Sequence, residues 1–161
     1  MKKLVLLGGP TGVGKTTTLR ALQGRFQSGA LLDADDVWRV GVTLAVPKNR
    51  HIAIRNVAQT MRGYFQAGCT LGVVSWVFAR SELYQPVIDA LSDEVDTVQQ
   101  LYLLADPEIL ETRLRERGDS DKVEYALSRL ELIEALPFTK LDTSHLTPDQ
   151  VADHVCQEIT Q

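Results

Sequence analysis

Several things are missing from this sequence, and each absence removes a class of function. No apolar run approaches the length of about 20 residues that spans a bilayer, so no membrane association is expected. Only two cysteines occur, Cys69 and Cys156, far apart and without metal or redox spacing. They fit buried thiols in a reducing compartment, and a cytoplasmic protein is expected. The histidines His51, His145 and His154 lack metal-ligand spacing. No Ser/His/Asp or Cys/His pattern marks a nucleophilic hydrolase. The net charge of −4 supplies no global basic field for a nucleic-acid backbone, which leaves at most a local basic groove. There is no internal repeat, low-complexity tract or linker, and 161 residues suit a single domain over 1–161 with a sizeable core.

What is present alternates. Apolar runs at Leu4–Leu7, Ala30–Leu32, Thr70–Val77, Val98–Leu104 and Phe138–Leu141 predict five strands. Helical patterns separate them, which points to an α/β fold with a parallel sheet. A helix is expected to open at Thr16, with Leu19, Leu22 and Phe26 on one face. Another covers Asn49 to Gln66, with Ile54, Val57, Ala58, Met61 and Phe65 as its apolar stripe and Gly68 as its stop. Ser81 or Glu82 begins a helix to about Leu91. Asp106-Pro107 caps the next, Asp119-Ser120-Asp121 the one after, and Thr147–Gln150 forms a capping box before the last.

The first strand runs into Gly9-Pro10-Thr11-Gly12-Val13-Gly14-Lys15-Thr16, which matches the phosphate-binding pattern G-x-x-x-x-G-K-[ST]. For that reason Met1–Leu7 is a strand rather than a secretory leader. The glycines let the backbone curl its N–H groups inward, and the following helix adds the positive end of its dipole. Gly9, Thr11, Gly12, Val13, Gly14, Lys15, Thr16 and Thr17 are therefore nucleotide-binding candidates. Lys15 reaches the β- and γ-phosphates, and the Thr16 hydroxyl suits Mg²⁺.

Asp33, Asp35 and Asp36 follow the second strand, at the edge where open parallel sheets bind ligands. A carboxylate there can hold Mg²⁺ or take a proton from an attacking hydroxyl. Arg80 emerges after the third strand and can hold an acceptor phosphate or carboxylate; Arg39 and Arg55 are further candidates of that kind. Arg113 and Arg117 share a helical face and can neutralise phosphate charge, with Arg129 on the next helix as another candidate. Arg115 has Glu111 as a local partner. The third strand ends Val73-Val74-Ser75-Trp76, without the acidic residue often met there, which leaves Asp33 or Asp35 as the metal-linked carboxylate. His145 follows the fifth strand and is a candidate for the base pocket.

Taken in order, these segments resemble the small P-loop kinases related to nucleoside-monophosphate, shikimate and gluconate kinases. The resemblance covers nearly the whole chain. It implies a five-stranded parallel sheet in the order 2-3-1-4-5 with helices on both faces. It also implies a substrate-binding helical region near 36–68 and a mobile lid near 113–136. Asp35 would touch the acceptor, Arg117 or Arg129 would close over the phosphates, and Asp33 would be magnesium-linked. The Asp36-x-x-Arg39 spacing also looks like that of polynucleotide kinases, so Asp35 and Asp36 both stand as candidate bases. The sequence departs from these families in two places. Trp76-Val77-Phe78-Ala79-Arg80 replaces the Gly-rich substrate loop of shikimate kinase, and the lid lacks the R-x-x-x-x-x-R of adenylate kinase. The expected activity is transfer of the γ-phosphoryl of ATP to a small hydroxyl or phosphate acceptor, by a monomer or homodimer using Mg²⁺. The alternatives are a nucleotide-binding switch or ATPase module, and a polynucleotide-end kinase.

Overall fold

A computed structural model of the chain describes residues 1–41 and 43–160. Val42, inside the expected substrate-binding region, and Gln161 lie outside the described residues. Five parallel strands form one sheet: β1 (Lys3–Gly8), β2 (Gly29–Asp33), β3 (Leu71–Ser75), β4 (Thr97–Leu104) and β5 (Thr139–Asp142). Their spatial order is β2-β3-β1-β4-β5, as expected. The central strand β1 pairs with β3 on one side and β4 on the other. Leu4, Val5, Leu6 and Leu7 are all fully buried. Each such side chain contributes about 1.5–3 kcal/mol on leaving water, so this short run anchors both layers.

Alternation along the strands divides the core in two. Val5, Leu7 and Val73 face one layer, under α1 (Lys15–Leu22), α4 (Pro107–Glu116), α5 (Val123–Glu134) and α6 (Pro148–Thr160). Leu4, Leu6, Leu32 and Val74 face the other, under α2 (Arg50–Gln66) and α3 (Ser81–Ala90). No helix among the described residues is long and apolar enough to cross a membrane.

Local rules set most of the ends. The Asp106 side chain accepts from the backbone N–H of Glu108 at 2.9 Å, and Pro107 opens α4. Thr147 and Gln150 exchange the two bonds of a capping box before α6. Gly68, at φ +102°, ends α2. Several expectations need correction. Strand β3 covers Leu71–Ser75 rather than Thr70–Val77, and a 3-10 turn at Ser120–Lys122 precedes α5, whose N-cap is Lys122 rather than Asp119–Asp121. Helix α1 stops at Leu22 rather than reaching Phe26; Gln23 leaves helical geometry, and Phe26 meets the core from the following loop. Strand β5 starts at Thr139, one residue late. Cys69 and Cys156 are half-buried free thiols, not fully buried ones.

Gly8 marks where β1 must approach β4 without a side chain. A Cβ there would lie 2.2 Å from the ring of Tyr102, a fully buried residue whose hydroxyl donates to the Phe78 carbonyl at 3.1 Å. Gly8→Ala is expected to destabilise the fold by about 1–3 kcal/mol through overpacking. Calorimetry would record a thermal midpoint lower by roughly 2–4 °C per kcal/mol.

Candidate phosphoryl-transfer site

The loop between β1 and α1 is built as its glycines require. Gly9, Gly12 and Gly14 all have positive φ, and Gly14 precedes α1 at φ 109°. A side chain at Gly12 would also meet Leu114 of α4 at 2.8 Å, so the loop is clamped from outside. Thr11 to Thr18 line a cavity of 560 Å³ above the carboxyl edge of the sheet. The N-terminus of α1 opens into it, which suits an anion. Asp33, Asp35, Trp76, Val77, Arg113 and Arg117 complete its polar and central walls.

Lys15 is bent back on its own loop. Its Nζ donates to the carbonyls of Gly9 and Pro10, both at 2.8 Å. Burial lowers its pKa from 10.5 to about 8; the charges of Asp35 and Asp33 resist that fall, and Arg117 adds to it. A bound polyphosphate would favour the ammonium form, so the protein should take up a proton on binding above pH 8. Affinity for a nucleoside triphosphate is therefore expected to fall as pH rises through about 8, by up to about tenfold per unit. Titration calorimetry at pH 8.5 in buffers of different ionisation heat would show the uptake as a buffer-dependent enthalpy. Without ligand the linkage has the opposite direction: the unfolded chain holds this proton more tightly, so stability gains from rising pH between about 8 and 10.5.

The carboxylates divide by role. Thr16 Oγ1 donates to Asp33 Oδ2 at 2.7 Å, and Asp33 Oδ1 accepts from the Asp35 backbone N–H at 3.2 Å. Asp33 thus caps the short 3-10 turn Ala34–Val37 while holding the Thr16 hydroxyl. The Asp35 side chain is crowded by protein on one side, and this, followed by the charge of Asp33, raises its pKa. Lys15 and the Trp76 indole N–H partly counter the rise. Asp36 does not line this cavity. It pairs with Arg39 at 2.5 Å, over a separate groove of 720 Å³ along the exposed edge of β2. Asp35 lines both spaces.

Among the described residues no cluster of three or more His, Cys, Asp or Glu side chains is arranged to hold a metal ion. A divalent cation carried by phosphates needs less, typically one or two protein oxygens with water completing the shell. Thr16 Oγ1 and Asp33 are oxygen donors already in contact, so they fit Mg²⁺ in that form. Below them the hydroxyl of Ser75 is fully buried and has no hydrogen-bond partner among the described residues. A buried hydroxyl left unpaired costs about 1–3 kcal/mol.

The arginines separate. Arg113 lines the same cavity, but its guanidinium is occupied by the carbonyls of Thr143 (2.8 Å) and Ser144 (3.3 Å) and by Thr143 Oγ1 (3.2 Å). It braces the β5–α6 loop beside the phosphate loop. Arg117 lies on the cavity wall, ion-paired with Asp119, and Lys122 shares both that partner and that wall. The structure does not bring Arg129 there: its guanidinium sits 4.5 Å over the Tyr125 ring on α5. Arg115 pairs with Glu111 as expected. His145 is exposed and absent from the wall, where Leu146, Pro148 and Val151 stand instead.

Arg55 and Arg80 face a different space, a cavity of 730 Å³ between α2 and α3. Lys48 and Arg50 add charge there, and Ile54, Leu83 and Pro86 give it an apolar lining. The Trp76–Arg80 loop separates the two cavities: Trp76 and Val77 border one, Arg80 the other. Phe78 within it is buried at φ 45°, a left-handed conformation unusual for a bulky residue, and Trp76 meets its ring edge-on at 5.9 Å. Sequence reasoning missed Trp76, Lys122 and Thr143. Only Trp76 carried a local signal, an aromatic at the ligand end of a strand.

No protein-family model matches the sequence. No curated protein matches it either. Solved structures do. A tunicamycin resistance protein from Deinococcus radiodurans superposes with a TM-score of 0.73 at 19% identity, over 99% of this chain and 96% of the other. A gluconokinase from Sinorhizobium meliloti gives 0.73 at 11% identity, over 98% and 91%. Shikimate kinase from Acinetobacter baumannii, in complex with shikimate, gives 0.64 at 16% identity, over 99% and 93%. The chain has the fold of the small P-loop kinases.

Proposed function

We propose that this chain is an ATP-dependent kinase that phosphorylates a hydroxyl of a small anionic molecule. One observation carries the reading: the Lys15 ammonium, the Asp33 and Asp35 carboxylates, the N-terminus of α1 and Arg117 share one cavity. That combination suits a polyphosphate donor at one end and a proton acceptor at the other. The loop N–H groups and Lys15 bind the β- and γ-phosphates. Mg²⁺, bound through Thr16 with Asp33 behind it, would supply charge neutralisation to the phosphates. Asp35 takes the proton of the acceptor hydroxyl as its oxygen bonds to the γ-phosphorus and ADP departs. Its raised pKa suits a proton acceptor better than an ordinary surface carboxylate would. The pairing of Asp36 with Arg39 favours Asp35 over Asp36 as the base.

The acceptor's anionic group is assigned to the cavity between α2 and α3. Among the described residues Lys48, Arg50, Arg55 and Arg80 form no ion pair there, in a chain of net charge −4. The segment 36–68 then serves as the substrate-binding region. Segment 113–136 acts as a lid, with Arg117 and Lys122 over the phosphates. A cytoplasmic setting suits both the nucleotide donor and the free thiols.

The test is ATP consumption with a panel of hydroxyl compounds, each offered in neutral, carboxylated and phosphorylated form. The reading expects stimulation by a subset of the anionic members only. Arg80→Ala should raise the KM of an effective acceptor about 10- to 100-fold, as the loss of a charge-assisted contact worth about 1.5–3 kcal/mol implies, with kcat less affected. Turnover indifferent to every acceptor favours the ATPase or switch alternative; stimulation by oligonucleotide ends favours the polynucleotide one.

A further inference from the structure

The groove between α2 and α3 is larger and more apolar than an anionic group alone requires. Its 730 Å³ falls within the range of about 300–1,000 Å³ that receives drug-sized ligands. It is also graded from one end to the other. Helix α2 leads into β3 and α3 into β4, and both strands run parallel to β1, so both helices start at the carboxyl edge of the sheet. Lys48, Arg50 and Arg80 stand at that end, where the two helix N-termini add positive potential. Arg55 follows about one turn along α2, and Glu82 is the single carboxylate among the described lining residues at this end.

Further along, the charge gives way. Ile54 and Ala58 of α2 lie four apart on one face, and Leu83, Pro86 and Ala90 of α3 recur at spacings of three and four. Ile54, Leu83, Pro86 and Ala90 are only half-buried by the protein, so apolar surface is left over for an occupant. At the far end Arg62 crosses from α2 to the Ala90 carbonyl at 2.6 Å, and the rest of its guanidinium is held by Asp93 and Glu94. That cation is spent on the fold, whereas those at the mouth are not. The stretch from Ile54 to Arg62 is about 12 Å of helix, the length left for an apolar body.

A lone carboxylate or phosphate would use the mouth and leave these walls in water. We infer that the acceptor is an amphiphile, with its hydroxyl and anionic group at the mouth beside the Trp76–Arg80 loop and an apolar body, of ring or short-chain size, lying between α2 and α3. This rests on the proposed kinase reading and names the acceptor class of that same site.

N-acylated serines test it, because each carries a hydroxyl and a carboxylate at one end and an apolar body of chosen size at the other. Titration calorimetry compares N-acetyl-, N-butanoyl-, N-hexanoyl- and N-benzoyl-L-serine, with their carboxamide counterparts, and ³¹P resonance follows transfer from ATP to each. The inference expects wild-type affinity to tighten by up to about fourfold for each methylene added. The uncharged carboxamides should bind about 10- to 100-fold more weakly, the scale of a lost charge-assisted contact. Leu83→Asn should flatten the dependence on chain length, and Arg80→Ala should weaken every acid alike while keeping that dependence. Affinity indifferent to the acyl group in the wild type overturns the inference, whatever the variants do. So does a chain-length dependence that survives intact in Leu83→Asn, which places the acyl chain elsewhere. Phosphorylation of short hydroxy acids with no gain from an apolar body overturns the inference and leaves the kinase reading standing. Acyl-dependent binding with no phosphorylated product from any acceptor overturns the kinase reading itself, and the acceptor assignment with it.

Discussion

Lys15→Ala is expected to reduce phosphoryl transfer by about 10²–10³-fold or more, the scale on which a preorganised donor to developing transition-state charge acts. Triphosphate affinity should fall with it. The fold should not suffer. The ammonium is buried at a cost visible in its lowered pKa, and its two hydrogen bonds go to carbonyls of its own loop. Gly9 and Pro10, both buried, would lose one donor each, a loss offset by ending the burial of the ammonium. Circular dichroism and a thermal melt should therefore match the wild type or improve slightly, while titration calorimetry with ATP loses its signal. A variant that unfolds would show that Lys15 stitches the loop together. A variant that keeps its ATP affinity would remove the loop from the donor site. The pH dependence serves as an independent check: the loss of affinity above about pH 8 should vanish with the lysine.

Asp35→Asn is expected to have the second-largest effect. General-base catalysis is commonly worth about 10²–10⁴-fold, and the amide keeps the shape of the side chain while losing its proton affinity. Asp36→Asn should change kcat by far less, because Asp36 faces the β2-edge groove and is held by Arg39. The contrast between two adjacent residues is the informative quantity. Because burial and the Asp33 charge raise the Asp35 pKa, the acidic limb of the kcat/KM profile should lie above the ordinary carboxylate range. That limb should disappear in Asp35→Asn and persist in Asp36→Asn. Equal losses in both variants would mean that the turn at 34–37, rather than one carboxylate, is the functional unit.

These effects could be anticipated unequally from the sequence. The phosphate loop was legible because its information is local: a buried strand, glycines at fixed spacing, and a helix. Asp33, Asp35 and Asp36 were legible as a group at a strand end, but their division was not. It depends on the direction each side chain takes from a 3-10 turn and on the Asp36–Arg39 pair. The strand order came from the family likeness, since periodicity locates strands without ordering them. Arg113 was expected near phosphates and lines the cavity at the phosphate loop, yet its guanidinium is held by a carbonyl 30 residues away in sequence, which no local pattern reports. Arg129 has helical spacing compatible with a lid, and its position over Tyr125 depends on which face α5 turns outward. Arg55 and Arg62 lie seven residues apart on one face of α2, and both line the groove between α2 and α3. Arg62 is taken up there by Asp93 and Glu94, so shared position did not mean shared role.

The groove and the cavity at the phosphate loop lie on either side of the Trp76–Arg80 loop, and the proposed reaction carries a phosphoryl group from a donor in one to an acceptor in the other. The most direct measurement is ³¹P nuclear magnetic resonance of a reaction containing ATP and an anionic acceptor that stimulates turnover. Phosphoryl transfer to the acceptor should give a new phosphomonoester resonance growing in step with ADP, with little inorganic phosphate. ADP formed in step with inorganic phosphate, and no phosphorylated acceptor, would contradict it.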